Sequence, residues 1–261
     1  MRFSVKEMYN KSLYNDNNNL RYIFPYLKNK SLYNYLKIDT ESLCYISHKN
    51  ISLNITNIIT NHILKYKMSN KDIIITDCTS GVGGDTIQFG QTFKFVYSIE
   101  IDKNRYKYLI NNTSIYNLKN IKFFNDDLLN ILPIISEQDI IFIDPPWGGP
   151  EYKNLKNIRL KISNIIELED LCEMILFGET IKCSLFICLK LPKNYDIKYI
   201  YDKLNKCNIY LYELNKMIII IIEKKNMYID IFVNKLIKKI IHNALSSIIQ
   251  SNSCNEISSC S

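Results

Sequence analysis

Two short loops hold the residues of this chain best suited to chemistry. One is Asp144-Pro145-Pro146-Trp147-Gly148-Gly149-Pro150, which contains the only tryptophan. The other is Asp77-Cys78-Thr79-Ser80-Gly81-Val82-Gly83-Gly84. Together they take five of the seven glycines, and the first also takes three of the six prolines. Glycine serves where backbone turns sharply or lies against a ligand, and proline where it must be held still. An exocyclic amine on a nucleobase is a poor nucleophile because its lone pair is delocalised into the ring. A carboxylate and a carbonyl that accept its hydrogen bonds let the nitrogen become tetrahedral as it attacks. Asp144 and the carbonyl of Pro145 suit that task, and Trp147 offers a flat face for the base. Positioning and desolvation can then supply ~7–11 kcal/mol at the favourable limit. Asp144, Pro145 and Trp147 are therefore predicted to be catalytic, in methyl transfer to the amine of a base. A core aromatic is the other reading of Trp147, but a Pro-Pro-Trp-Gly-Gly run is an odd place for one.

The second loop follows an apolar strand and precedes a helix, which is the setting of a nucleotide-binding glycine loop. Thr79, Gly81 and Gly83 would lie against the cofactor. Glu100 ends the next strand as a bidentate acceptor for two ribose hydroxyls, and Asp102 follows it on the same side. Asp126 and Asp127 end the third strand, where a carboxylate could accept an adenine amino group. A nicotinamide cofactor would fit such a loop too, and a solvated strand end would account for Glu100 or Asp102 taken alone. The Asp-Pro-Pro-Trp loop after the fourth strand favours S-adenosylmethionine, whose methyl emerges between the first and fourth strands. Asp77 would balance the charged methionine end, and Asp144 would line the same pocket.

An alternation of strands and helices must carry these loops. Apolar positions at helical spacing predict a helix over 52–67. Strands are predicted at 72–77, 95–99, 121–124, 139–143 and 184–189. Helices are predicted from about 85, over 103–117 and over 165–177. Residues 208–213 and 217–222 read as a closing antiparallel pair around Asn215-Lys216. This pattern implies an α/β, mostly parallel, doubly wound sheet of the Rossmann type. The expected organisation is an N-terminal, partly helical extension over 1–51 and a catalytic domain over 52–227. A C-terminal helix and polar tail would follow over 228–261, with Lys235, Lys238 and Lys239 on the polar side of the helix.

The chain has 261 residues, 47% of them apolar, enough for one large core. A formal charge of +7 suits an acidic partner such as RNA, although an AT-rich genome would also enrich Lys, Asn, Ile and Tyr. The eight cysteines and three histidines show no metal-ligand spacing, so no metal is expected and the thiols read as free. Neither a signal peptide nor an apolar run long enough to span a bilayer is present, which points to an intracellular protein without a membrane partner. A monomer is expected.

The combination Asp77-x-x-x-Gly81-Val82-Gly83-Gly84-x-Thr86-Ile87-Gln88-Phe89 with Pro145-Pro146-Trp147-Gly148-Gly149-Pro150 resembles the trimethylguanosine synthases, the RNA cap guanine-N2 methyltransferases. Leu191-Pro192-Lys193-Asn194 resembles the family's Leu-Pro-Arg-Asn. The resemblance covers about 72–222, with a fainter echo over 35–45, where the family's N-terminal lobe helps build the cap pocket. It implies a class I fold, S-adenosylmethionine as cofactor and 7-methylguanosine-capped RNA as substrate and partner. It also implies that Trp147 stacks on the cationic base, that Tyr152 and Lys193 contact the cap phosphates, and a nuclear location in a eukaryotic cell. Three positions depart from the family pattern. Asp144 stands for its usual Ser, Asp85 for Asn, and Asp126 for Gly. Asp144 is the residue of adenine-N6 methyltransferases, which keeps that activity as an alternative, beside a cap-binding module without catalysis.

Overall fold

The computed structural model of the protein describes Leu13, residues 17–183 and residues 185–226. Seven strands form one sheet: β1 (Ile74–Asp77), β2 (Phe95–Ile99), β3 (Ile121–Phe124), β4 (Ile140–Ile143), β7 (Phe186–Pro192), β8 (Cys207–Glu213) and β9 (Met217–Lys224). The short strands β5 (Lys161–Ile162) and β6 (Ile166–Glu167) pair only with each other. The order in the main sheet is β3-β2-β1-β4-β7-β9-β8, parallel except for β9, which runs antiparallel to both neighbours. Buried on both faces, β4 and β7 consist almost wholly of apolar residues, as parallel strands covered by helices must.

The helices are α1 (Asn17–Ile23), α2 (Ser42–Tyr45), α3 (Lys49–Leu64), α4 (Gly84–Thr92), α5 (Lys103–Ile115), α6 (Leu128–Ile131), α7 (Leu168–Phe177) and α8 (Ile197–Lys203). In α3 the buried residues Ser52, Ile55, Thr56, Ile59, His62 and Ile63 recur at helical spacing, so one stripe faces the sheet. The expected closing pair of strands is present, and β2 and β3 have the predicted bounds.

Several boundaries differ: the helix expected over 52–67 spans Lys49–Leu64, the strand expected from 72 starts at Ile74, and two others differ more. The helix expected over 165–177 begins only at Leu168, because Ser163 and Asn164 both take positive φ and turn the chain into the β5–β6 hairpin. The fifth parallel strand, expected to end at Leu189, runs on through Lys190, Leu191 and Pro192.

The segment before α3 packs into the same compact unit as the sheet. Leu20, Ile23, Phe24, Leu27, Tyr33, Leu36 and Ile38 form one cluster with Val82 of the glycine loop and Ile87 of α4. Asn112 on α5 fastens this cover, donating from Nδ2 to the carbonyls of Lys37 (2.8 Å) and Val82 (2.9 Å) and accepting from Lys37 N (2.8 Å). Arg105 reaches Glu41 at 2.6 Å and Asp39 at 3.4 Å.

At the contact of cover and helix, a Cβ on Gly84 would lie 2.7 Å from Ile46 Cγ1 and 2.9 Å from the Ser47 carbonyl. A Gly84→Ala variant is expected to lose about 1–3 kcal/mol of stability through overpacking, read as a lowered urea midpoint. The tail expected to be helical, 228–261, lies outside the described residues.

Candidate active site

Both loops emerge at the carboxyl ends of neighbouring strands. β1 pairs with β2 on one side and β4 on the other, so Asp77, Glu100 and Asp144 leave the same edge of the sheet. Ligands of open α/β sheets bind outside that edge. Gly81 (φ +54°) and Gly83 (φ +101°) take left-handed conformations that a side chain would strain, and Gly83 caps α4.

Asp77 is buried, accepting from Thr86 Oγ1 at 2.5 Å and weakly from Thr79 N at 3.4 Å. Burial, reinforced by the like charge of Asp85, pushes its carboxyl up to about 7. A cationic group arriving beside it would return it to the ionised form, so the residue fits the charged end of a cofactor.

Glu100 is almost covered. Its Oε2 accepts from Gly81 N and its Oε1 from Asp102 N, both at 2.7 Å. Burial raises its pKa while these two amides oppose the shift. Fixed by one donor on each oxygen, the carboxylate keeps lone pairs for two further hydroxyls.

Asp102 does not follow Glu100 into the site. Its Oδ1 accepts from Asn104 N (2.9 Å) and Arg105 N (3.1 Å) and caps α5. Asp127 likewise caps α6, accepting from Leu129 N at 2.9 Å through Oδ1, while Oδ2 accepts from Ser163 Oγ at 2.5 Å. Asp126 is exposed and holds Asn130 and the amide of Asp127.

The acceptor loop is built just as closely. Asp144 N donates to Thr79 Oγ1 at 2.8 Å, a hydrogen bond that ties the two loops together. The register Ile143↔Leu189 places Asp144 beside Lys190, whose Nζ donates to Asp144 Oδ2 at 2.5 Å. Lys190 also donates to Ser47 Oγ at 2.8 Å, and Ser47 donates to Asp85 Oδ2 at 2.6 Å. Burial pushes the Asp144 carboxyl up to about 6 against the opposing pull of Lys190.

Gly148 (φ +89°) and Gly149 (φ +76°) reverse the chain after Trp147, a path closed to most side chains. Trp147 is half-buried and meets the Tyr152 ring edge-on, with centroids 5.2 Å apart and planes at 82°. Its buried indole N–H lies near enough to Asp144 to favour the carboxylate but makes no hydrogen bond. Lys190 Nζ sits over the indole at 5.8 Å from the ring centre.

The structure thus brings Asp77, Thr79, Gly81, Gly83, Asp144 and Trp147 together on two linked loops, with Glu100 at the end of β2 bonded to the first of them. Lys193 is half-exposed and lies 3.6 Å from Glu213 at the end of β8, a surface pair worth little to stability. Sequence reasoning passed over Asn194, which donates to the carbonyls of Tyr152 (2.7 Å) and Leu155 (2.8 Å) and pins the loop carrying the aromatic pair. It also passed over Lys190, Ser47 and the partnership of Asp85. The available signal was a lysine between Leu189 and Leu191, since a strand covered on both faces leaves a charge no solvent.

Among the described residues, Cys78, Cys172 and Cys188 are buried free thiols. No group of three or more His, Cys, Asp or Glu there could hold a metal ion, and no described helix is long and apolar enough to cross a membrane.

Comparison with known proteins agrees with this geometry. The family model described as RNA cap guanine-N2 methyltransferase matches residues 72–242. Uncharacterized protein L320 of Acanthamoeba polyphaga mimivirus is 36% identical over 222 residues, covering 78% of this chain and 85% of that protein. The trimethylguanosine synthase of Schizosaccharomyces pombe is 30% identical over 131 residues, 48% of this chain and 52% of the synthase. That of Saccharomyces cerevisiae is 27% identical over 184 residues, 67% of this chain and 56% of the synthase, so the chain spans about half the length of each. Among solved structures, the Thermus thermophilus 16S rRNA N2 G1207 methyltransferase shares the fold, with a TM-score of 0.51 and 14% identity over 67% of this chain and 43% of that one. The chain belongs to the RNA cap guanine-N2 methyltransferase family and is an S-adenosylmethionine-dependent methyltransferase of the Rossmann-like class I fold.

Proposed function

We propose that the protein methylates the exocyclic N2 amine of 7-methylguanosine caps on RNA. The observation that carries this reading is the acceptor loop, where Trp147 is held half-exposed by Tyr152, with the Asp144 carboxyl anchored beside it. S-adenosylmethionine supplies an electrophilic methyl group on a sulfonium. The residues that would hold it are Glu100 for the ribose, the amides of the glycine loop, and Asp77 for the charged methionine end. Asp127, with one hydrogen-bond partner on each oxygen, keeps a lone pair on each for the adenine amine.

For the acceptor, the protein has three tasks: stack the base, accept hydrogen bonds from its amine, and exclude water. N7 methylation makes guanine cationic, so stacking on Trp147 gains a cation–π contribution of ~2 kcal/mol when desolvated. Because Lys190 lies over one face of the indole, the base takes the other. Asp144 and the Pro145 carbonyl then accept from N2. Tyr152 and Lys193 serve the cap phosphates, each supplying a donor. In a eukaryotic cell this substrate implies a nuclear site of action, with a monomer as the working unit.

The carboxylate at 144 also favours adenine-N6 methylation as a second reading. Labelled S-adenosylmethionine offered with 7-methyl-GTP, GTP or an adenine oligonucleotide separates the two. Label is expected in 7-methyl-GTP, with at least tenfold less in GTP, the size of one 1.4 kcal/mol difference. Label chiefly in the oligonucleotide would move the assignment to adenine. Retention of 7-methyl-GTP without turnover would mark a cap-binding module.

A further inference from the structure

Lys190 is the only buried lysine or arginine among the described residues. It lies in β7, where every other residue is apolar and buried, so packing alone gives no reason for a charge there. A buried ion pair adds little net stability, because desolvation offsets the attraction, and an apolar pair of similar volume often does as well. Yet this lysine is held by two anchors, Asp144 Oδ2 at 2.5 Å and Ser47 Oγ at 2.8 Å. Asp144 is itself fixed at its amide by Thr79. The hydrogen bond from Lys190 goes to Oδ2 of Asp144, which leaves Oδ1 for a ligand.

We propose that Lys190 is a positioning residue for methyl transfer, occupying one oxygen of Asp144 so that the other faces the incoming amine as an ionised acceptor. The proposal rests on Asp144 serving as the amine acceptor in the reading above. The groups facing the pair come from each surrounding element. Asp77 stands at the end of β1, Asp85 on α4, the Trp147 indole on the acceptor loop, and Ser47 and His48 ahead of α3. Burial, then Asp85, push the Asp144 carboxyl up, and Lys190 is the largest influence the other way. Without it, Asp144 would hold its proton to higher pH and present a donor where an acceptor is needed. A lysine that served only stability would shift that titration without moving the acidic limb of kcat/KM, so a limb that stayed put would overturn the proposal.

The test compares wild-type protein with Lys190→Met and Lys190→Arg in two measurements on the full chain. The first is the pH profile of kcat/KM with 7-methyl-GTP. Its acidic limb is expected to move up by at least one unit in Lys190→Met, lowering the rate about tenfold near pH 5 and about twofold near pH 7, and to return toward the wild-type position in Lys190→Arg. The second is carbon NMR titration of the Asp144 carboxyl, assigned through Asp144→Asn, which needs no substrate. Its midpoint is expected to rise by a similar amount in Lys190→Met.

An unmoved midpoint overturns the proposal whichever base the enzyme methylates. A wild-type protein inactive on 7-methyl-GTP overturns the substrate reading instead, leaving the titration to decide the role of Lys190. Should Lys190→Met not fold, Lys190→Gln carries the same expectation, and failure of both to fold would show the lysine to be structural and sink the proposal.

Discussion

A Trp147→Ala variant is expected to lose methyl transfer to 7-methyl-GTP while still binding S-adenosylhomocysteine. Stacking of a base on an aromatic side chain is worth ~1–3 kcal/mol. The cationic ring adds ~2 kcal/mol. At 1.36 kcal/mol per tenfold, roughly 3–5 kcal/mol predicts a fall in kcat/KM on the order of 10²- to 10³-fold or more. Calorimetric titration with S-adenosylhomocysteine supplies the control, because Asp77, the glycine loop and Glu100, which would hold the cofactor, lie outside the loop of Trp147. Trp147→Phe, which keeps a smaller aromatic face against Tyr152, is expected to retain part of the activity. If Trp147→Ala stayed within tenfold of wild type, the stacking platform would have to lie elsewhere.

The second large effect is on stability, at Asp144. An Asp144→Ser variant installs the residue usual in the family but leaves the Lys190 ammonium buried without its carboxylate. Removing one partner of a buried pair costs ~3–5 kcal/mol. Ser47, with Asp85 behind it, holds the other side of the lysine and should keep the loss toward the lower end. The double variant Asp144→Ser/Lys190→Met is expected to recover most of that loss, since the intact pair stands near break-even between desolvation and attraction. Urea unfolding of the four proteins closes the double-mutant cycle, and a double variant as unstable as the single one would refute the coupling.

The pH dependence has a definite sign. The Asp144 carboxyl is raised by burial to about 6 in the fold, above its unfolded value. This group's contribution is fully present below the unfolded pKa and fades as pH rises through about 6. Wild-type protein should therefore gain stability from Asp144 between pH 7 and 5, just as it loses the ionised acceptor.

Much of the sheet was legible in the sequence, because apolar runs of four or five residues alternating with helical spacing have few other uses. Asp77 and Asp144 were legible as well, since each ends such a run beside a loop of glycine or proline, and Glu100 because it ends the next apolar run. Asp102 and Asp127 were legible as carboxylates after strands but not as helix caps: helices begin right after them, and each side chain accepts from the free amides there. The network of Lys190, Ser47 and Asp85 was not legible, because its contacts span up to 143 positions and depend on the β4–β7 register and the docking of the segment before α3. The β5–β6 hairpin was hidden by the helical spacing that overlaps it, with only Ser163-Asn164 as a marker.

The cover over the glycine loop also has a consequence for synthesis. Leu20, Ile23, Phe24 and Leu27 leave the ribosome long before their partners Val82, Ile87 and Leu118. At about 5–20 residues per second, the wait lasts roughly 5–20 s, during which these apolar side chains have only each other and Tyr33, Leu36 and Ile38 to lie on. The part of the cofactor pocket made first is thus secured by parts made later. Slow translation or a shortage of chaperones should accordingly lower the yield of native enzyme through its N-terminal end, at a stage when the catalytic loops do not yet exist.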